Sequence, residues 1–211
     1  MENTLLAVRL ERPLTDEEDG RLLALLPEER RDRLKRILRP EKRWQVLCAY
    51  GLLGLALWER FGWRALPGVA LEPQGKPYFP AYPSVRFSLS HTDGAALAGV
   101  SGSPIGVDIE RLRPVPARLQ ERIAPGKTGE RFFQEWVRRE ALAKWTGRGI
   151  GDLMETEPSG AGAFCPLRTF PGYVAGVAGV EAAPERVRLC TVGELAEFCR
   201  RAAGNLERNS R

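Results

Sequence analysis

The hydrophobic pattern divides the chain into stretches of different period. Leu5-Leu6-Ala7-Val8-Arg9-Leu10 is short and apolar and predicts a first strand. Thr15-Asp16-Glu17-Glu18 opens a helix, with Thr15 as N-cap and acids in the first turn, and the helical pattern runs toward Leu26. A second helix is expected after Pro27, and a third, after Pro40, is apolar over residues 46–58. Residues 67–83 are rich in proline and glycine and predict turns and short extended pieces. Residues 85–91 alternate like a strand, and residues 95–100 and 104–110 form two more. Turns at Thr92-Asp93-Gly94 and Ser101-Gly102-Ser103 would make these three a short antiparallel meander. A helix over 129–145, closed by Gly147 and Gly149, precedes strands near 164–170, 173–180 and 187–192. A short helix over 194–203 and a polar tail end the chain. Helices, strands, helix, strands is the order of an α+β protein, not of a regular βαβ winding.

Composition narrows the class. The 211 residues suit one large domain or two small halves sharing a core. Hydrophobic residues make up 43% and charged residues 28%, as in ordinary globular proteins, so neither disorder nor a fibrous repeat is expected. The most apolar stretch, 46–61, carries Glu59 and Arg60 at its end and is too short to span a bilayer. The N-terminus lacks a positive region and a cleavage site, which points to the cytoplasm. Cys48, Cys165, Cys190 and Cys199 have no CxxC spacing, and the chain has a single histidine. A zinc site and a disulfide framework are therefore both unsupported. The net charge of +5 favours a polyanionic partner: nucleic acid, anionic lipid, a phosphorylated small molecule or an acidic protein. Much of it lies in residues 30–36 and in Lys42-Arg43, where a solvated helix face explains it equally well.

Three constellations carry candidate chemistry. In Gly106-Val107-Asp108-Ile109-Glu110, a strand sends Val107 and Ile109 inward and projects Asp108 and Glu110 together. Adjacent carboxylates repel unless a cation lies between them, and paired hard oxygens suit magnesium; a polar outer strand face is the plainer alternative. In residues 136–144, helical geometry puts Trp136, Glu140 and Lys144 on one face. Glu140 and Lys144 are either an intrahelical ion pair or a third metal carboxylate beside a phosphate-neutralising lysine. In Ser88-Leu89-Ser90-His91, His91 and Ser90 are candidate phosphate or metal-shell donors. A serine hydrolase is disfavoured: there is no G-x-S-x-G, and Ser90 and His91 should point to opposite strand faces. No Walker A loop or dinucleotide fingerprint occurs, so phosphate binding would rest on side-chain cations and a metal.

In this order and spacing, these pieces resemble the 4'-phosphopantetheinyl transferase superfamily, and within it the larger, Sfp-like type. The matching segments are Gly75-Lys76-Pro77, Phe87-Ser88-Leu89-Ser90-His91, Ile105-Gly106-Val107-Asp108-Ile109-Glu110, and Trp136-Val137-Arg138-Arg139-Glu140-Ala141 with Lys144 and Gly147. Arg12-Pro13-Leu14 and Phe170-Pro171-Gly172-Tyr173 add to the likeness near the two ends. The resemblance implies two similar α+β halves related by a pseudo-twofold, residues 1–102 and 103–211, with coenzyme A in the cleft between them. It implies that Asp108, Glu110 and Glu140 hold Mg2+ (or Mn2+), and that Lys76, His91 and the adjacent Ser90 contact coenzyme A. Lys144 would neutralise the pyrophosphate, Glu140 would accept the proton of the incoming serine, and Arg30 and Arg33 would approach the 3'-phosphate. The implied activity moves 4'-phosphopantetheine to a serine of an apo-acyl or peptidyl carrier protein and releases adenosine 3',5'-bisphosphate. The implied actor is a monomer with no nucleic-acid or membrane partner.

Three positions depart from the family pattern. Arg139 stands where lysine is usual, Ser88 replaces a frequent asparagine, and the segment 112–131 is short and carries Pro125-Gly126-Lys127-Thr128-Gly129. Apolar residues of 112–133 would meet the carrier while the basic surface steers it. Two other functions compete: an inactive coenzyme A or nucleotide-binding module, and a basic nucleic-acid-binding protein using residues 30–43. The first would normally have lost one of the three acids. The second would leave the acids unexplained and has only Trp44 as an aromatic partner.

Overall fold

The computed structural model describes residues 3–148, 164–179 and 186–204. Strand β1 (Thr4–Arg9) is followed by helices α1 (Asp16–Ala24), α2 (Glu28–Lys35) and α3 (Pro40–Phe61), then by the small hairpin β2 (Ala70–Leu71) and β3 (Pro77–Tyr78). Strands β4 (Arg86–Thr92), β5 (Ala95–Ser101) and β6 (Gly106–Arg111) lead to helices α4 (Ala117–Ile123) and α5 (Gly129–Thr146). Strands β7 (Phe164–Leu167), β8 (Tyr173–Ala178) and β9 (Arg188–Cys190) and helix α6 (Val192–Gly204) complete the described elements. The class is α+β, as expected. Gly149 and Val180 of the expected elements lie outside the described residues.

The strands form a four-stranded sheet of order β4-β5-β1-β9, a three-stranded sheet of order β6-β8-β7 and the β2-β3 hairpin. β1 is buried on both faces, which its unbroken apolar run requires. Leu6 and Val8 enter a core with α3, α1 and α6, while Leu5 and Ala7 enter a second core with Ile105, Val107, Ile109 and Val177. β9 pairs parallel to β1, and α6 packs on α1 and α3. The last described segment therefore closes the first sheet.

The expected three-strand meander is corrected. β4 and β5 form an antiparallel hairpin, but β5 then pairs with β1, and β6 pairs with β8 instead. A two-residue hairpin turn makes the β4-β5 pairing cheap, and β1 takes the other edge of β5, so β6 pairs instead with the distant β8. The open edge of β6 meets β4 through side chains. The amides of Val107, Ile109 and Arg111 donate to the hydroxyls of Ser88 (3.0 Å), Ser90 (3.3 Å) and Thr92 (3.3 Å). Left unpaired, each buried amide would cost about 1–3 kcal/mol.

The ends of other elements also shift. β7 stops at Leu167 and is followed by a turn at Pro171-Gly172, and Val192 opens α6 instead of closing a strand. Thr15 caps α1 as expected: its hydroxyl accepts from the Glu18 amide at 3.2 Å, and Glu18 accepts from the Thr15 amide at 2.8 Å. Arg12 donates two hydrogen bonds to the same carboxylate and is the main reason its pKa falls from 4.5 to about 2. A depressed carboxylate stabilises the fold above its unfolded pKa and loses that contribution as pH falls through its folded pKa. The Tm advantage of the native chain over Glu18→Gln should therefore be constant above pH 4.5 and vanish on acidification toward about 2. Thermal unfolding of both proteins across that range checks it.

Candidate functional site

The site starts from a close approach. Gly106 opens β6 directly against α5, where any Cβ would collide with the Ala141 carbonyl oxygen and the Trp145 backbone. With no side chain in the way, the strand carrying Asp108 and Glu110 lies against the helix carrying Glu140 and Lys144. Val107 and Ile109 are fully buried in the core between the sheets, and Asp108 and Glu110 take the opposite face, as period-two alternation requires.

Asp108 is 4% exposed. Its Oδ1 accepts from Ser90 Oγ at 2.7 Å and from Lys144 Nζ at 2.7 Å, while its Oδ2 is buried with no hydrogen-bond partner. Lys144 thus pairs across elements with Asp108, and Glu140 receives only its longer-range field. Glu110 accepts from Thr92 at 3.2 Å and from Arg113 at 2.6 Å; the Arg113 guanidinium also lies over the rings of Phe133 and Trp136. Burial pushes the pKa of Glu110 up, against the pull of Arg113. Burial also raises Glu140, where Lys144 opposes the rise, Asp108 and Glu110 add to it, and a hydrogen bond from Trp136 resists it. The three acids therefore share one electrostatic environment.

Beside them opens a cleft of about 360 Å³, lined by Gly75, Lys76, Ser88, Glu140, Lys144 and Arg148 among others. Lys76 comes from the β2-β3 turn and donates to the carbonyls of Ile105 (3.3 Å) and Trp145 (3.1 Å), tying that turn to β6 and α5. Desolvation lowers its pKa. His91, on β4, is exposed, yet the protein packed around its ring, then the fields of Lys144 and Lys42, push its pKa below the ordinary value. Ser90 is buried and faces away from His91, its hydroxyl engaged by Asp108 and Ile109. Arg30 and Arg33 are on α2 near Tyr50, whose pKa burial raises against the pull of their charges, and neither lines the cleft.

The structure gives several side chains partners that the sequence did not assign. Arg139 is committed to Glu135 at 2.7 Å, and Lys127 and Arg138 hold the same carboxylate. Burial favours a higher pKa for Glu135, but these cations outweigh it and hold it at about 2. Arg113 carried no motif signal. Ser88 and Thr92 did: small hydroxyls at alternate strand positions mark one face. Of the apolar residues expected to meet a partner, Ile123, Phe132 and Phe133 are buried together, leaving Leu112, Val115 and Leu119 partly exposed. In the basic stretch, Arg43 pairs with Asp19 and Lys42 with Asp93, so part of that charge is already balanced.

Among the described residues no three His, Cys, Asp or Glu side chains stand in a ready-made metal cage, and no helix is long and apolar enough to cross a membrane. Asp108 nevertheless keeps a bare buried oxygen next to two acids whose pKa values are raised, which fits a hard divalent cation. Mg2+ commonly takes only one or two carboxylates and completes its shell with substrate phosphates and water.

No protein-family model matches the chain. It is similar to the 4'-phosphopantetheinyl transferase HetI of Nostoc sp., with 30% identity covering 71% of this chain and 70% of that one. A 4'-phosphopantetheinyl transferase of Bacillus subtilis is 27% identical over 68% of this chain and 70% of its own length. The enzyme Sfp of Bacillus subtilis strain 168 is 23% identical over the same shares. Replacing Gly106 by alanine should force β6 and α5 apart and cost about 1–3 kcal/mol of stability. Urea unfolding of Gly106→Ala measures that loss.

Proposed function

Because the chain belongs to the 4'-phosphopantetheinyl transferase family, we propose that it transfers the phosphopantetheine arm of coenzyme A to a serine of an apo-acyl or peptidyl carrier protein, in a magnesium-dependent reaction that releases adenosine 3',5'-bisphosphate. One observation supports this most: Asp108, with its bare Oδ2, is paired with Lys144 and acts through its charge on the raised-pKa acids Glu110 and Glu140, beside a cleft lined by Lys76, Lys144 and Arg148. In this reading Asp108, Glu110 and Glu140 hold Mg2+ or Mn2+. The ion would supply charge stabilisation at the pyrophosphate when bound.

The chain's own residues do the rest. The cleft between the proposed halves, 1–102 and 103–211, receives coenzyme A, and Lys76, Lys144 and His91 face its phosphates. Arg30 and Arg33, on α2 and outside the cleft lining, would meet the 3'-phosphate. Serine oxygen forms a bond to the pantetheine-side phosphorus as the bond to the bridging pyrophosphate oxygen breaks, and adenosine 3',5'-bisphosphate departs with that oxygen. The serine proton goes to Glu140, whose carboxylate lines the cleft. Lys144 offsets charge on the departing phosphate. Both sides of the cleft come from one chain, so the reading needs no second subunit.

Intact-mass spectrometry of an apo-carrier incubated with the protein, coenzyme A and Mg2+ tests the activity directly. Asp108→Ala and Glu140→Ala should each reduce transfer by orders of magnitude while circular dichroism remains native. Near-normal turnover of Asp108→Ala would remove the acid assignment.

Coenzyme A binding has its own signature. Lys76→Ala and His91→Ala should weaken binding by about 1–3 kcal/mol each by calorimetry. Bound phosphate favours the imidazolium, so the depressed pKa of His91 should rise when coenzyme A is added. NMR titration reports it without ambiguity, because the chain has one histidine.

A further inference from the structure

We propose that Ser90 is a positioning residue for Asp108, and that Ser88 and Thr92 act with it to hold the acid-bearing strand β6 in register against β4. The roles of Asp108 and Glu110 in this inference rest on the transferase reading; the seam itself rests on geometry.

The seam is regular. Ser88 accepts from the amide of Val107, Ser90 from that of Ile109 and Thr92 from that of Arg111, each pair 19 residues apart. The constant offset means that β4 and β6 run parallel, although they belong to different sheets. Two of the hydroxyls also reach a carboxylate one residue earlier on β6: Ser90 donates to Asp108 and Thr92 to Glu110, both 18 residues away. Each of these rungs therefore accepts from a backbone amide and donates to an acid.

A hydroxyl has one proton to donate. That of Ser90 goes to Asp108 at 2.7 Å, inside a region where Ser90 is 5% exposed. Spent there, it is not offered to a coenzyme A phosphate. Its effect is to turn Asp108 so that Oδ1 takes both donors, Ser90 and Lys144, and Oδ2 takes none. Lys144 reaches Asp108 from α5, while Ser90 ties it to the strand that carries His91. A slip of β6 by one residue would exchange its core face for its acid face, and a slip by two would keep amide rungs but move Asp108 away from Ser90. Glycine or an apolar side chain at 88, 90 or 92 supplies no acceptor for the facing amide.

The test combines amide hydrogen exchange with steady-state kinetics. Ser88→Ala should accelerate exchange at Val107, Ser90→Ala at Ile109 and Thr92→Val at Arg111, each by about tenfold or more, while Thr92→Ser restores slow exchange. With coenzyme A and carrier, Ser90→Ala should lower kcat by about 10–100-fold, the usual effect of losing a partner behind a key ligand, and leave KM for coenzyme A nearly unchanged. Unchanged exchange at all three amides overturns the seam. A raised KM for coenzyme A with native kcat overturns the positioning role and assigns the Ser90 hydroxyl to the substrate. If Ser90→Ala does not fold, the Thr92→Val and Thr92→Ser pair decides by exchange at Arg111. If the native protein transfers nothing to any carrier, the transferase reading fails while the exchange data still judge the seam.

Discussion

The contact on which the rest depends is the line where β6 meets β4. Two sheets end there, and a sheet edge is a row of unpaired backbone groups that must be satisfied or left in water. Here the row is buried, and three hydroxyls of β4 satisfy the amides of Val107, Ile109 and Arg111. Short polar side chains are suited to this, because a hydroxyl both accepts from the amide and donates elsewhere. The second sheet can thus stay next to the first without backbone pairing, and the space opened beside the seam becomes the cleft.

A second constraint acts from the other side. Gly106 lets β6 lie against the backbone of α5, so the residues two and four positions later come within reach of a helix that carries Glu140 and Lys144. Removing that approach would separate the acids, and removing the seam would free the strand that bears two of them. Burial then does the electrostatic work. It raises Glu110 and Glu140, keeps an oxygen of Asp108 without a donor, and depresses Lys76 and His91. Each of these groups is less comfortable in the free protein than it would be beside a phosphate and a cation, which is the condition of a site built for charged ligands.

Elsewhere charge is balanced internally. Glu135 is held by Lys127, Arg138 and Arg139, and Glu18 by Arg12. The departure of Arg139 from the family's usual lysine therefore has a structural setting: its guanidinium is directed to Glu135 on the same helix, one turn before it. The basic face of residues 30–43 is likewise partly neutralised by Asp19 and Asp93, which weakens its claim as a general polyanion surface.

The sequence by itself determined what depends on neighbours along the chain. Thr15 and Glu18 announce a capped helix because the bonds they make span three residues. The alternation in 106–110 sorts acids from core residues because a strand has a period of two, and Trp136, Glu140 and Lys144 share a face because a helix brings fourth neighbours together. Family likeness added the order of those motifs. What the sequence could not determine are pairings between segments far apart. Local spacing predicted that β6 would extend the β4-β5 hairpin, whereas β8, some seventy residues later, took it into another sheet. The sequence left the partner of Lys144 open between Glu140, its helical neighbour, and a ligand phosphate; the structure pairs it with Asp108, because a buried carboxylate needs a cation beside it more than a half-buried neighbour on the same helix does. Ser88, Ser90 and Thr92 were visible as polar strand positions, but only the tertiary structure shows that their hydroxyls close the edge of another sheet. The reason is physical: propensity and periodicity act over a few residues, while the satisfaction of buried polar groups is settled only when distant strands are brought face to face.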